Sequence, residues 1–347
     1  MIRRRSLLAA AAASVAAPAV LCPARAAGRP FTFCSWGGAL SELEQTALLD
    51  PFAASRKMTF AYAAPINYAK IKAMVQAGAP EWDLVDVGGF FIFDGADVIE
   101  PLDMTLIPNA AALDPGWVTS RGIFTSTGAT VMAWNTTSFP QGGPQSWKDF
   151  WDVKAFPGPR GLYKNFYYNY EAALLAAGLA RREVYPVTDE KAQQAIGKLR
   201  EIKPHVTVWW AAGAQPPQLL SSGELALSSA WSGRISAVMK DKAPVTMTFS
   251  DGIAWGNAWI VTKGTPYRQL AMEAINAALD PTAQVRLLAA GLYGPVLASV
   301  TGQATPEQQQ WLVTSPQNRA RMLIINEEQV ALYRRKYQSA WEQFMLG

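Results

Sequence analysis

Ala230-Trp231-Ser232-Gly233-Arg234 and, further along, Trp255-Gly256-Asn257-Ala258-Trp259 decide how this chain is read. Each reads as the end of a buried strand that opens onto a tryptophan. An indole beside an end-of-strand glycine makes a flat apolar wall that backbone can approach closely. Working outward, strands are predicted at 31–34, 84–87, 128–134, 162–164, 206–210, 225–230, 245–249 and 258–262. Ser41-Glu42-Leu43-Glu44 offers the Ser-x-x-Glu capping box of a helix whose Leu40, Leu43, Ala47 and Leu48 fall on one face. Ile71, Met74 and Val75 give helical spacing over 68–77, stopped at Gly78, and 189–202 and 267–279 read as further helices. Such alternation argues for open α/β sheets with helices on their faces.

In open sheets of this kind ligands sit at the carboxyl ends of the strands. Three predicted strands end there in glycine-bearing turns: Ser35-Trp36-Gly37-Gly38, Gly88-Gly89-Phe90-Phe91 and Trp231-Ser232-Gly233. The chain has 13 tryptophans, and a buried tryptophan usually belongs to the core. Placement, not residue type, therefore singles out Trp36, Trp231 and Trp255 as binding residues.

Residues 1–26 match an export signal: Arg3-Arg4-Arg5, an apolar run from Leu7 to Leu21, and the small-x-small site Ala24-Arg25-Ala26. Arg4-Arg5-Ser6-Leu7-Leu8 also fits the twin-arginine pattern. The expected location is the periplasm. The chain carries 31 Lys+Arg against 27 Asp+Glu, and Arg3, Arg4, Arg5 and Arg25 leave with the signal. A mature chain near neutrality, with no basic cluster, lacks the footprint of a nucleic-acid binder. Only Cys34 survives processing of Cys22 and Cys34, so no intrachain disulfide is expected. The apolar core must supply the stability, and the length suits two domains.

Covalent chemistry finds few candidates. His205 is the only histidine, beside Pro204 at a helix-to-strand turn, and no Gly-x-Ser-x-Gly elbow presents a serine. Clustered histidines, cysteine pairs, phosphate loops and dinucleotide fingerprints are missing from the sequence, so neither metal nor cofactor is expected. A carboxylate-pair glycosidase is the remaining enzyme alternative, because tryptophan-lined clefts also suit sugars.

Phe33-Cys34-Ser35-Trp36-Gly37-Gly38, Trp82-Asp83-Leu84-Val85-Asp86-Val87, the run Pro144-Gln145-Ser146-Trp147-Lys148-Asp149-Phe150-Trp151-Asp152, Gly223-Glu224-Leu225-Ala226 and Trp231-Ser232-Gly233-Arg234 occur in that order. Together they resemble the periplasmic solute-binding proteins of spermidine/putrescine-type ABC transporters, from about residue 31 to residue 300. The resemblance implies a two-lobed periplasmic binding protein, type II-like, with two open sheets and a hinge that closes on a solute. It implies lobes at 28–134 plus 256–297 and at 135–255 plus 298–347, with crossings near Trp134-Asn135 and near 251–255. It also implies a membrane permease as partner; a monomer is the simple expectation, and a sensing role with the same fold is an alternative.

By the same resemblance Trp36, Trp231, Trp255 and Tyr293 fall at the aromatic positions of the polyamine site and Glu171 at an acidic one. Asn257 and Tyr168 stand where the family has further carboxylates. Polyamine binders fix ammonium ends with carboxylates and sandwich the aliphatic chain between rings. A polyamine is therefore the family-level expectation, and an amine-bearing acid of the aminobutyrate or guanidinobutyrate type, matching Glu171 and Arg234 at once, is the alternative. For Glu171 the competing reading is a first-turn glutamate complementing its helix dipole, and for Arg234 a surface arginine at a helix start.

Overall fold

A computed structural model describes residues 29–347; the export signal expected at 1–26 lies outside the described residues. Ten strands form one sheet: β1 (Thr32–Cys34), β2 (Ala61–Ala63), β3 (Leu84–Gly88), β4 (Ile123–Asn135), β5 (Arg160–Tyr163), β6 (Val206–Trp210), β7 (Leu227–Trp231), β8 (Val245–Val261), β9 (Gly294–Pro295) and β10 (Leu323–Ile324). The hydrogen-bonded order is β2-β1-β3-β8-β4-β7-β5-β6, with β10 on β8 and β9 on β4. β1, β2 and β3 are mutually parallel, as are β7, β5 and β6; β8 and β4 are antiparallel to their neighbours on that path. Both β3 and β4 are buried along their whole length, as strands covered by helices on two faces must be.

The two sheets expected from the sequence are thus joined, because β4 and β8 are long enough to serve both. The stretches 245–249 and 258–262, read as separate strands, fall together on one 17-residue β8, which ends at Val261. Its register breaks in the middle: Thr130 of β4 faces Ile253, whereas Met132 faces Thr248. Between these pairs Asp251 adopts a positive φ of 53°, and the Trp147 indole donates to its carbonyl at 2.8 Å. The Ser146–Asp149 capping box starts the short Trp147–Trp151 helix that holds this indole in place. Two parallel βαβ halves therefore hang on a pair of continuous strands, the mixed α/β fold of two-lobed periplasmic binding proteins.

Helix Asp189–Ile202 agrees with its sequence reading, and Leu40, Leu43, Ala47 and Leu48 are buried as the spacing predicts. The Ser41–Glu44 capping box is not formed. The helix starts earlier, at Gly38, and Glu44 turns inward at a π-helical stretch, Glu44–Leu49, to bond Ser35 and Trp259. Burial of an ionisable side chain with two polar partners has replaced a solvent-facing cap.

Candidate solute site

The cavity where the two halves meet is lined by Trp36, Leu40, Gly88, Tyr167, Tyr168, Trp231, Arg234, Trp255, Gly256, Asn257 and Tyr293. Trp36 follows β1, Gly88 ends β3, Trp231 ends β7, and Arg234 lies in the first turn of the Ser232–Lys240 helix. Trp255 and Asn257 stand in mid-strand on β8, not at a strand end as the sequence suggested. Asn257 pairs with Gly88 across the sheet, and its amide donates to the Ser126 hydroxyl at 3.0 Å, which leaves the amide carbonyl as an acceptor.

The rings form a nearly continuous wall. Trp36 meets Trp231 edge to face at 5.9 Å between centroids, Trp231 meets Trp255 at 6.3 Å, and Trp255 stacks on Tyr168 at 6.2 Å. Close approach needs glycine beneath: a β-carbon on Gly128 would lie 2.5 Å from the Trp255 ring. Gly37 and Gly38 do not line the cavity but seat Arg234. The Gly37 carbonyl accepts from Arg234 Nη2 at 2.5 Å, and a β-carbon on Gly38 would lie 2.3 Å from Nη1.

Polarity within this wall is uneven. Arg234 Nε and the Trp231 indole N–H are buried without a hydrogen-bond partner among the described residues, whereas the Trp36 indole N–H has the buried Asp86 carboxyl as its polar neighbour. Unpaired buried donors are uncommon and each demands an acceptor. At the other side Tyr167 and Tyr168 close the wall at the entry to the Phe166–Ala176 helix, where Tyr168 takes a positive φ of 69°. No Asp or Glu lines the cavity.

Glu171, expected to reach the solute, lies behind Tyr168. It is fully buried and accepts from the Tyr168 backbone N–H at 2.9 Å, from Tyr185 at 2.8 Å and from Tyr333 at 2.9 Å. Burial pushes its carboxyl up to about 7. The first-turn helix role describes its position, and its oxygens are spoken for within the protein. Phe90 also lies outside the cavity; its ring packs on Tyr68 and Tyr167 and carries the Arg334 guanidinium 3.9 Å from its centroid. Tyr167, Leu40 and Gly256 are lining residues that sequence reading missed, and Tyr168 was noted only as a lost carboxylate. The signal available for the tyrosines was the aromatic run Phe166-Tyr167-Tyr168 at a helix start.

A second carboxylate stands close by. Glu327, at the start of the Glu327–Lys336 helix, borders a neighbouring cavity that shares Trp255 and Gly256 with this one. Burial raises it to about 8, against the help of the Gly256 and Phe90 backbone amides. A larger cavity of about 320 Å³, lined by Met239, Leu288, Leu292 and Trp311, lies beyond Ser232 and Tyr293 and holds none of the unpaired donors.

A ring-walled cleft between two α/β halves is the arrangement of a solute-binding protein. The chain belongs to the bacterial extracellular solute-binding protein family, whose model matches residues 47–313, and it is the substrate-binding component of an ABC transporter. It is 36% identical over 300 residues to a gamma-aminobutyric acid-binding protein of Pseudomonas aeruginosa, covering 85% of each chain. It is 27% identical over 193 residues to spermidine/putrescine-binding periplasmic protein 1 of Haemophilus influenzae, 52% of this chain and 51% of that one. Among solved structures, an ABC transporter substrate-binding protein from Bradyrhizobium japonicum superposes with TM-score 0.85 at 36% identity, covering 91% of this chain and 99% of that one. A GABA receptor superposes with TM-score 0.80 at 30% identity, over 91% and 97%.

Proposed function

We propose that this chain, exported to the periplasm as a monomer, captures a small amine-bearing acid of the aminobutyrate class and delivers it to an inner-membrane permease. One observation carries the choice of solute: the wall presents unpaired guanidinium and indole N–H donors and no carboxylate. Arg234 and Trp231 suit a solute carboxylate, since a charged donor to a carboxylate is among the strongest hydrogen bonds available. The ammonium would lie against Tyr167, Tyr168 and Trp255, where ring faces attract a cation by about 0.5–2 kcal/mol. Glu171 and Glu327 stand behind those rings. The Asn257 carbonyl supplies an uncharged acceptor.

This reverses the order of the two solutes expected from the sequence. A diamine would bring a second cation toward Arg234 with no carboxylate in the wall to receive it. The relatives named for gamma-aminobutyrate support the same choice over the shorter likeness to a spermidine/putrescine binder. The lobes are taken as 28–134 plus 256–297 and 135–255 plus 298–347, hinged where β4 and β8 lose register.

Calorimetric titration of refolded protein with 4-aminobutyrate, 4-guanidinobutyrate, putrescine and spermidine tests the reading. Micromolar or tighter binding of an amine-bearing acid with no response to the diamines is the expected result. Tight putrescine binding alone would overturn it.

A further inference from the structure

Beneath the cavity floor lies a pair of carboxyl groups that the solute site does not use. Asp86 stands on β3 two residues before Gly88, and alternate residues of a strand share a face. It is thus one pleat below the floor, opposite Trp259 as Gly88 is opposite Asn257. Glu44 enters from the π-helical turn beside it, accepting from the Ser35 hydroxyl and from the Trp259 indole at 3.0 Å. Both carboxyl groups are fully buried, and neither oxygen of Asp86 has a hydrogen bond of ordinary geometry. The Trp36 indole N–H and the Glu44 carboxyl are its polar neighbours.

One loop ties this pair to the solute site. Ser35 fastens Glu44, Trp36 covers Asp86 and walls the cavity, and the Gly37 carbonyl receives Arg234. Arg234, from the Ser232–Lys240 helix, is the cation whose charge reaches Glu44. The other titratable groups facing the pair are Tyr293, Cys34 of β1 and Tyr68 of the Tyr68–Gln76 helix, with Lys70 of that helix acting on Cys34. Two adjacent carboxyl groups in a dry site cannot both ionise easily.

We propose that Asp86 and Glu44 form a proton-accepting pair beneath the solute cavity, and that a solute carboxylate docks on Arg234 together with a proton taken up from solution by this pair. The proposal rests on the solute being an amine-bearing acid. Without solute, ionised Glu44 balances Arg234. A carboxylate arriving at Arg234 takes over that balance and adds a negative charge nearby, so the pair binds a proton more tightly. Burial already holds Glu44 at about 7 and Asp86 well above the carboxylate range, which places the exchange near neutral pH. No covalent bond changes; the proton comes from the buffer. Affinity for the acid then falls as pH rises above 7, by at most about tenfold per pH unit for one linked proton.

The test is calorimetry of 4-aminobutyrate binding to the full chain at pH 7 in phosphate and in Tris, whose different ionisation enthalpies report protons exchanged. Expected is uptake of a fraction of a proton up to one, lost in Asp86→Asn and in Glu44→Gln. Equal enthalpies in the two buffers, or uptake that survives both substitutions, would overturn the proposal. If neither 4-aminobutyrate nor 4-guanidinobutyrate binds, the solute reading has failed, and the pair is judged on the solute-free protein with carbon-13-labelled carboxyl groups. There Arg234→Met must raise the titration of a buried carboxyl by roughly one pH unit, the order expected for loss of one nearby opposite charge. An unmoved titration overturns the pair, as it would if Asp86→Asn fails to fold and only Arg234→Met and Glu44→Gln can be read.

Discussion

Arg234 is the residue on which solute choice turns, because its Nε is buried and unpaired while one terminal nitrogen is held by the Gly37 carbonyl. The guanidinium is therefore aimed before any solute arrives, and preorganised donors lose little freedom on binding. Arg234→Met keeps the aliphatic stem and removes the donors. A hydrogen bond to a charged group is worth about 1.5–3 kcal/mol, so affinity for 4-aminobutyrate should fall by about ten- to 150-fold, read by calorimetry, while the thermal midpoint falls only through the lost contacts to Gly37 and Glu44. A drop in midpoint with affinity intact would mean that Arg234 serves the fold alone. Asn257 poses the opposite experiment. Asn257→Asp places a carboxylate in the wall beside Gly88, and putrescine should then gain on 4-aminobutyrate, measured as the ratio of their dissociation constants. An unchanged ratio would remove Asn257 from the solute contacts.

At the scale of elements, the entry to the Phe166–Ala176 helix explains why Glu171 was misplaced by sequence. Tyr167 and Tyr168 leave helical geometry there, so Tyr168 turns into the cavity and its backbone N–H caps onto Glu171. Tyr185 and Tyr333 from two other elements complete the carboxylate's shell. Since burial raises Glu171 to about 7, the folded state holds its proton more tightly than the unfolded chain does. This group's contribution is full at acid pH and is lost as pH rises from its ordinary range near 4.5 through about 7. In Glu171→Gln that component disappears, and thermal midpoints across pH 5 to 8 should show a shallower decline than in the parent. An identical slope would move the linkage elsewhere, to Glu44 or Glu327. Strands β1 and β3 to β8, Trp36, Trp231 and Arg234 were legible because continuous apolar runs and glycine-bearing strand ends are local patterns, whereas the short β2, β9 and β10 were not read. The run Trp82 to Val87 likewise spelled out β3, with Asp83 at its start accepting from the Thr32 backbone N–H at 2.7 Å. A backbone kink at Tyr168, the inward turn of Glu44 and the fusion of two short strands into β8 depend on partners far along the chain, and no window of sequence contains them.

For the whole molecule the decisive property is how the two halves are held together when they close. The Glu327–Lys336 helix reaches both. Arg334 pairs with Asp94 at 2.9 Å and lies over Phe90, both following β3, while the same guanidinium lies 5.0 Å from the ring of Tyr167, which follows β5. Tyr333, its neighbour, bonds Glu171. None of these contacts lines the cavity through Arg334 itself, so this side chain reports on closure without touching solute. Open and closed states of such a hinge differ by only a few kcal/mol, and a solute shifts the balance by its differential affinity. Removing the Arg334 clasp should cost the closed state about 1–2 kcal/mol, the range for a partly buried charged contact over a ring. Apparent affinity depends on the fraction already closed. With the solute-free parent partly closed, Arg334→Ala should therefore weaken 4-aminobutyrate binding by a few-fold and at most about thirty-fold, through that fraction alone. Small-angle scattering separates this from damage to the site: the solute-free variant should show a larger radius of gyration than the parent, and saturating solute should bring the two together. A radius that stays equal in the absence of solute, with affinity reduced, would place the effect in the ring wall and not in the hinge.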